Sequence, residues 1–126
     1  MSENEIATIV LDCAIRVHSA LGPGLLESVY EACLKYELEL RGVKVESQKA
    51  LPVIYHGVQI DCGFRTDLLI EGKFVVELKA VESLSDIHLA QIITYLKLSN
   101  CKLGFLLNFN VLRMKDGGVK RVANGI

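Results

Sequence analysis

An α/β fold, with a mixed central sheet flanked by helices in one domain spanning residues 1–126, is predicted from three observations. Three stretches, about 3–21, 25–40 and 85–99, repeat apolar residues at the three-and-four spacing of a helix with one buried face. Short apolar runs bounded by Gly, Pro and Asn read as strands. A helix-length stretch separates two of these runs, Phe74 to Ala80 and Cys101 to Leu107, and such a crossover favours a parallel pair with a right-handed connection. The predicted order is α-α-β-β-β-α-β-β.

The first helix carries Ile6, Ile9, Val10, Cys13, Val17 and Leu21 on its stripe and is stopped by Gly22-Pro23-Gly24. His18 near its end offers a ligand for phosphate or metal, or a satisfied half-buried ring. The second helix buries Leu26, Val29, Tyr30, Cys33, Leu34 and Leu38, with Arg41 at its negative end and Gly42 as a stop. Glu27 opens it, where the helix dipole favours a carboxylate; the same position also suits a residue completing a metal site. Glu27 and Tyr30 share a face.

Val43 to Tyr55 reads as extended with a break at Pro52, a sign of an edge or a bulge. His56-Gly57 is a turn, Val58 to Ile60 resumes, Gly63 bends, and Phe64 to Ile70 leads into a hairpin. Phe74 to Ala80, the most apolar strand, is expected at the sheet centre. Ser85 caps the third helix, with Asp86 in its first turn. Its apolar side is Leu89, Ile92, Ile93 and Leu96; His88, Gln91 and Tyr95 form a second stripe. After the Cys101–Leu107 strand, a terminal hairpin of Val111 to Met114 with Val119 to Val122 is expected, clustering Arg113, Lys115, Lys120 and Arg121. That cluster suits a phosphate backbone, or an edge protected by charge.

Composition bounds the function. Hydrophobic residues make up 51% of 126, ample for a core, and no apolar run reaches the roughly 18 residues of a membrane span. The acidic start Met1-Ser2-Glu3-Asn4-Glu5 lacks a basic signal region, so a cytoplasmic protein with no membrane partner is expected. Cys13, Cys33, Cys62 and Cys101 form no C-x-x-C pair, which argues against a zinc or redox motif. A net charge of −1 is unlike the basic surface of a non-specific nucleic-acid coat, so any such contact rests on a local patch.

The chemistry concentrates in Asp67 to Lys79, two apolar strands around Glu71-Gly72-Lys73. Charged Asp67, Glu77 and Lys79 interrupt these runs, and charge is costly to bury unless it is paired or holds a metal. Register decides whether the charges meet. A two-residue loop would set Asp67 and Glu77 on opposite faces. A three-residue loop, with Gly72 able to go left-handed, pairs Ile70 with Phe74, Leu69 with Val75, and Asp67 with Glu77. The second register is expected. Two facing carboxylates repel, and a divalent cation such as Mg2+ relieves the repulsion. Lys79 lies on the same face as Glu77, able to orient water or meet charge developing on a phosphoryl group. The bland alternative is a solvated Glu–Lys ion pair.

The order of elements, with Asp and then Glu-x-Lys on successive strands, resembles the PD-(D/E)XK nuclease superfamily. Within it, Gly24-Leu25-Leu26-Glu27-Ser28-Val29-Tyr30 resembles the signature of the GxxExxY family. Gly22-Pro23-Gly24, Gly63-Phe64-Arg65-Thr66-Asp67, Glu77-Leu78-Lys79-Ala80, Gln91 to Tyr95 and Leu106-Leu107-Asn108-Phe109 extend the likeness over nearly the whole chain. The resemblance implies a restriction-endonuclease-like core and hydrolysis of phosphodiester bonds, in DNA ahead of RNA, with Mg2+ or Mn2+. Carried over, Asp67, Glu77 and the Leu78 carbonyl hold the metal, Glu27 is the helix-borne acid beside it, and Lys79 assists the attacking water. Gln91 and Tyr95 resemble the Gln-then-Tyr helix motif of RecB-like nucleases, with Gln91 at the edge of the site and Tyr30 and Tyr95 in support. Thr66 stands where the superfamily's name has Pro, and Ile70 to Lys73 offers no second acid beyond Glu71. Two readings follow: an active nuclease, or a non-catalytic module that binds nucleic acid or protein. For a chain this small, a homodimer or reliance on partners is an expected assembly.

Overall fold

The computed structural model describes residues 1–61 and 63–124. Cys62, one of the four cysteines considered above, lies outside the described residues.

Two helices, α1 (Glu3–Leu21) and α2 (Glu27–Leu40), precede the strands β1 (Val45–Ala50), β2 (Val53–Tyr55), β3 (Val58–Ile60), β4 (Arg65–Ile70) and β5 (Phe74–Lys79). Helix α3 (Asp86–Ser99) and strands β6 (Leu103–Asn108) and β7 (Val119–Ala123) complete the chain. The main sheet has the order β1-β4-β5-β6-β7, and β2 with β3 forms a separate ribbon. β5 and β6 are parallel, Phe74 opposite Leu103 through Lys79 opposite Asn108, as the crossover through α3 requires. The other neighbours are antiparallel. This is the mixed, helix-flanked sheet of a restriction-endonuclease-like fold.

β5 lies at the centre, buried on both faces, which is why it reads as an unbroken apolar run. On one face Phe74, Val76 and Leu78 pack with Ile6, Val10, Val17, Tyr30, Leu34 and Leu38 of α1 and α2. On the other, Val75 and Leu106 pack with Ile92 and Leu96 of α3. α1 starts in a reciprocal capping box between Ser2 and Glu5. α3 starts in another, Ser85 with His88, whose Nδ1 accepts the Ser85 N–H at 3.0 Å. His88 is thereby committed to the cap.

Several expectations need correction. α2 begins at Glu27, not Leu25, because Leu26 is extended and the Leu25 N–H is held by the Tyr30 hydroxyl at 3.1 Å. Pro52 does more than interrupt a strand: β1 ends at Ala50 on the sheet edge, and β2 belongs to the separate ribbon. Ile93 is 37% exposed; α3 meets the sheet through Ile92 and Leu96, four apart, and Ile93 sits about 100° round the helix from Ile92. No terminal hairpin forms, since Val111 to Met114 is not a strand and β7 pairs with β6, Leu103 opposite Ala123 through Leu107 opposite Val119. The free edge of β6, with its buried side chains, offers β7 more than a short loop segment could. The four basic residues consequently do not make one patch. Arg113 and Lys115 line a cleft at the last turn of α1, whereas Arg121 reaches Asn4 Oδ1 in its first turn, at 2.6 Å.

Candidate metal centre and its surroundings

The β4–β5 ladder runs from Ile70 opposite Phe74 through Leu69 opposite Val75 to Leu68 opposite Val76. That is the three-residue-loop register. Glu71 and Gly72 both take left-handed φ angles, 55° and 65°, which the turn requires and Gly72 accommodates without strain. The next pair in this register is Asp67 with Glu77, and here side chains replace the backbone ladder. The Asp67 N–H donates to Glu77 Oε1 at 2.9 Å, and the Leu78 N–H donates to Asp67 Oδ2 at 2.9 Å. Each strand's amide is taken by the other strand's carboxylate, so both acids are fixed in the opening where the strands part.

Glu77 is 4% exposed, which rules out the solvated-face reading, and the ion pairs among the described residues include none between Glu77 and Lys79. Thr66, buried beside it, donates its hydroxyl to Glu77 Oε1 at 2.7 Å. Burial first, and the negative charge of Asp67 second, push the Glu77 pKa from the ordinary 4.5 to about 8, against the lowering effect of the Thr66 and Asp67 donors.

Other elements close in from both faces of the sheet. From α2, Glu27 Oε2 accepts the Ala80 N–H at 3.3 Å, one residue beyond Lys79. Glu27 thus sits in the first helical turn and against the end of β5 at once. From α3, Tyr95 lies close enough that its hydroxyl pKa is raised, chiefly by burial and then by the charges of Glu77 and Asp67. Its ring also meets Phe64 edge-on, with centroids 5.9 Å apart. Lys79 is half-buried and its ammonium makes no hydrogen bond or ion pair among the described residues. Gln91 is exposed on α3, and no hydrogen bond among the described residues ties it to the acids. Tyr30 is fully buried and turned elsewhere: its hydroxyl donates to the Gly22 carbonyl at 2.6 Å, and its ring stacks on Phe109 at 4.6 Å. His18 is likewise spent, its Nε2 2.7 Å from the Val111 carbonyl oxygen.

Three residues of the site were missed from sequence: Thr66, Glu31 and Gln48. Gln48 Nε2 donates to Glu31 Oε1 at 2.9 Å, to Glu31 Oε2 at 3.2 Å and to Asp67 Oδ1 at 3.2 Å, joining α2 to β4. Burial, with the neighbouring Asp67 and Glu27 charges, raises the Glu31 pKa, although the Gln48 amide opposes the shift. Glu31 had a legible signal, standing four residues after Glu27 and so on the same helix face. Gln48 had none, because its role depends on three elements meeting.

The donor set is all hard oxygen, the chemistry that suits Mg2+ or Mn2+ and not zinc. Both donors to Glu77 meet Oε1, and Oε2 accepts from no donor among the described residues, so a lone pair is left for a cation. Among those residues no group of three His, Cys, Asp or Glu side chains is arranged as a ready cage. Asp67 and Glu77 face each other across the opening, while Glu27 and Glu31 reach it from α2, where they accept from the Ala80 N–H and the Gln48 amide. Magnesium tolerates such a site, since it commonly keeps several waters and takes only one or two carboxylates.

A mixed sheet with an acid pair in the opening between antiparallel strands, and a lysine two residues further on, defines a class: nucleases of restriction-endonuclease-like fold. The chain matches the PD-(D/E)XK nuclease superfamily over residues 4–122 and belongs to it. Membership implies metal-dependent nuclease chemistry on a nucleic-acid substrate. No curated protein and no solved structure matches the chain.

Proposed function

We propose that the protein is a single-domain, divalent-metal-dependent nuclease of the GxxExxY type that hydrolyses phosphodiester bonds, in DNA ahead of RNA. The observation that carries this reading is the reciprocal hold of the two strands, the Asp67 N–H on Glu77 Oε1 and the Leu78 N–H on Asp67 Oδ2, which keeps two acids together although burial and the Asp67 charge raise the Glu77 pKa. Asp67, Glu77 and the Leu78 carbonyl would hold the cation, with Glu27 beside it. A bound Mg2+ or Mn2+ supplies Lewis acidity and lowers the pKa of water.

The chain's own residues divide the remaining work. Lys79, with no partner among the described residues and on the face of Glu77, is available to orient the attacking water and to meet negative charge on the phosphoryl oxygens. Thr66 holds the Glu77 carboxylate from behind through its hydroxyl. In this reading Tyr95 shields the α3 side, and Gln91, exposed on the same helix, takes the substrate at the edge of the site. Tyr30 supports by fixing the turn that leads into Glu27.

The test is a cleavage panel of single-stranded, double-stranded and branched DNA, and RNA, with Mg2+ or Mn2+. The expected result is metal-dependent cutting by the wild type and a loss of at least about a hundredfold in Lys79→Ala and Glu77→Ala, the scale of one removed transition-state contact. No cutting of any substrate, together with no cation binding by calorimetry, overturns the reading.

A further inference from the structure

In β1, Ser47 pairs with Leu68 and Lys49 with Thr66, so Gln48 falls at the position facing Asp67, where the backbone pairing itself lapses. The register is the same on both sides of the lapse, so no residue is inserted. Yet its φ is +52°, a left-handed value inside a strand. Gln is not a residue that adopts this conformation cheaply, and persistent strain of this kind is held in place by what surrounds it. Here the surroundings are specific. Its carbonyl accepts from Arg65 Nη1 at 3.3 Å, and its amide nitrogen lies between Glu31 and Asp67.

We infer that Gln48 is a positioning residue of the acid pair: it fixes the Asp67 carboxylate for a cation and holds Glu31 beside it as a neighbour, not a ligand. The inference rests on the cation reading above for its consequence, though not for its geometry. Two carboxylates on different elements repel, and a neutral amide donating to both offsets that repulsion without contributing a charge of its own. Gln48 takes Asp67 Oδ1 while the Leu78 N–H takes Oδ2, so the carboxylate is gripped at both oxygens. Removing the amide leaves one grip and restores the repulsion from Glu31.

The experiment uses Gln48→Gly, because glycine is at ease at this φ and loss of the amide is then not confounded by added backbone strain. Three readouts are taken: Mn2+ affinity by calorimetry, the melting temperature in chelator, and the χ1 couplings of Asp67 by NMR in chelator. The expected result is Mn2+ binding weaker by about tenfold, the usual scale for loss of a residue that orients a ligand. The melting temperature should be no lower, and the Asp67 couplings should change from one rotamer to an average. Adding Glu31→Gln should recover most of the lost affinity, a coupling that a merely structural role would not produce. Unchanged Mn2+ affinity, a single Asp67 rotamer in Gln48→Gly, or no recovery in the double variant overturns the inference. If the wild type binds no Mn2+, the cation reading fails, and the Asp67 couplings alone decide whether Gln48 positions that side chain. Should Gln48→Gly not fold, Gln48→Asn replaces it with the same expectations. Asn tolerates left-handed φ, but its amide is a methylene short of spanning both acids.

Discussion

Glu77 accepts two hydrogen bonds that favour its ionised form, yet burial and Asp67 outweigh them, and its pKa stands at about 8. The sign of the consequence follows from linkage. A folded-state pKa above the ordinary 4.5 means that the native protein binds more protons than the unfolded chain between about pH 4.5 and 8. The stabilisation is fully present below that window and is lost as pH rises through it. Metal-free protein should therefore lose stability between pH 5 and 8, by up to about 1.4 kcal/mol per pH unit, the limit for one group. Glu77→Gln, neutral and of similar shape, should flatten that slope, and urea denaturation in chelator across the window checks both. An equal slope in the variant would mean that another group supplies the titration. The same residue scale shows the limit of sequence reading. Asp67 and Glu77 were legible because strand alternation and a Gly72 loop fix which side chains meet. Thr66 and Gln48 were not, since a hydroxyl and an amide in a strand carry no pattern of their own.

Between elements, the site depends on how closely α3 and β5 approach β6. Gly104 lies opposite Val75 in the parallel pair, and a Cβ there would fall 2.5 Å from the Val75 carbonyl oxygen and 3.2 Å from Leu96 Cδ2. One obstruction is backbone, which cannot swing aside. Gly104→Ala is expected to cost about 1–3 kcal/mol, as overpacking in a close-fitting core does, and to push β5, with Glu77 on it, away from Tyr95 on α3. Urea denaturation measures the first effect, and loss of metal affinity beyond the stability change measures the second. A cost under about 0.5 kcal/mol, the range of unremarkable surface changes, would mean that the layers have slack. The helices, the parallel pair and the central place of β5 were legible at this scale because each rests on a periodicity or a connection rule. The destination of β7 was not. Val119 to Val122 reads as a strand folding back on the segment just before it, and nothing in its own pattern announces that it joins the free edge of β6 instead. Pro52 likewise announces a break without saying that β2 leaves the sheet.

At the scale of the molecule, the charge distribution makes its own demand. With a net charge of −1, and with Arg113 and Lys115 at one end of α1 and Arg121 at the other, these basic residues do not join into one cationic surface that would draw a phosphate backbone toward Asp67 and Glu77. The acids themselves repel it. Affinity for nucleic acid should therefore be weak in chelator, with a shallow dependence on salt, because few phosphates are neutralised and each adds only about 0.9 to the logarithmic slope on duplex DNA. A divalent cation reverses the local sign and should strengthen binding. So should Asp67→Asn without any metal: relieving two unit charges about 4 Å apart in water is worth about 1 kcal/mol, or roughly fivefold. Fluorescence anisotropy with labelled single-stranded and duplex DNA, in chelator and over a salt series, tests this directly. Tight wild-type binding with a steep salt slope, indifferent to Asp67→Asn, would place the contact on a basic surface away from the acids. Tighter binding by the variant with an unchanged shallow slope would place the phosphate at the opening between β4 and β5.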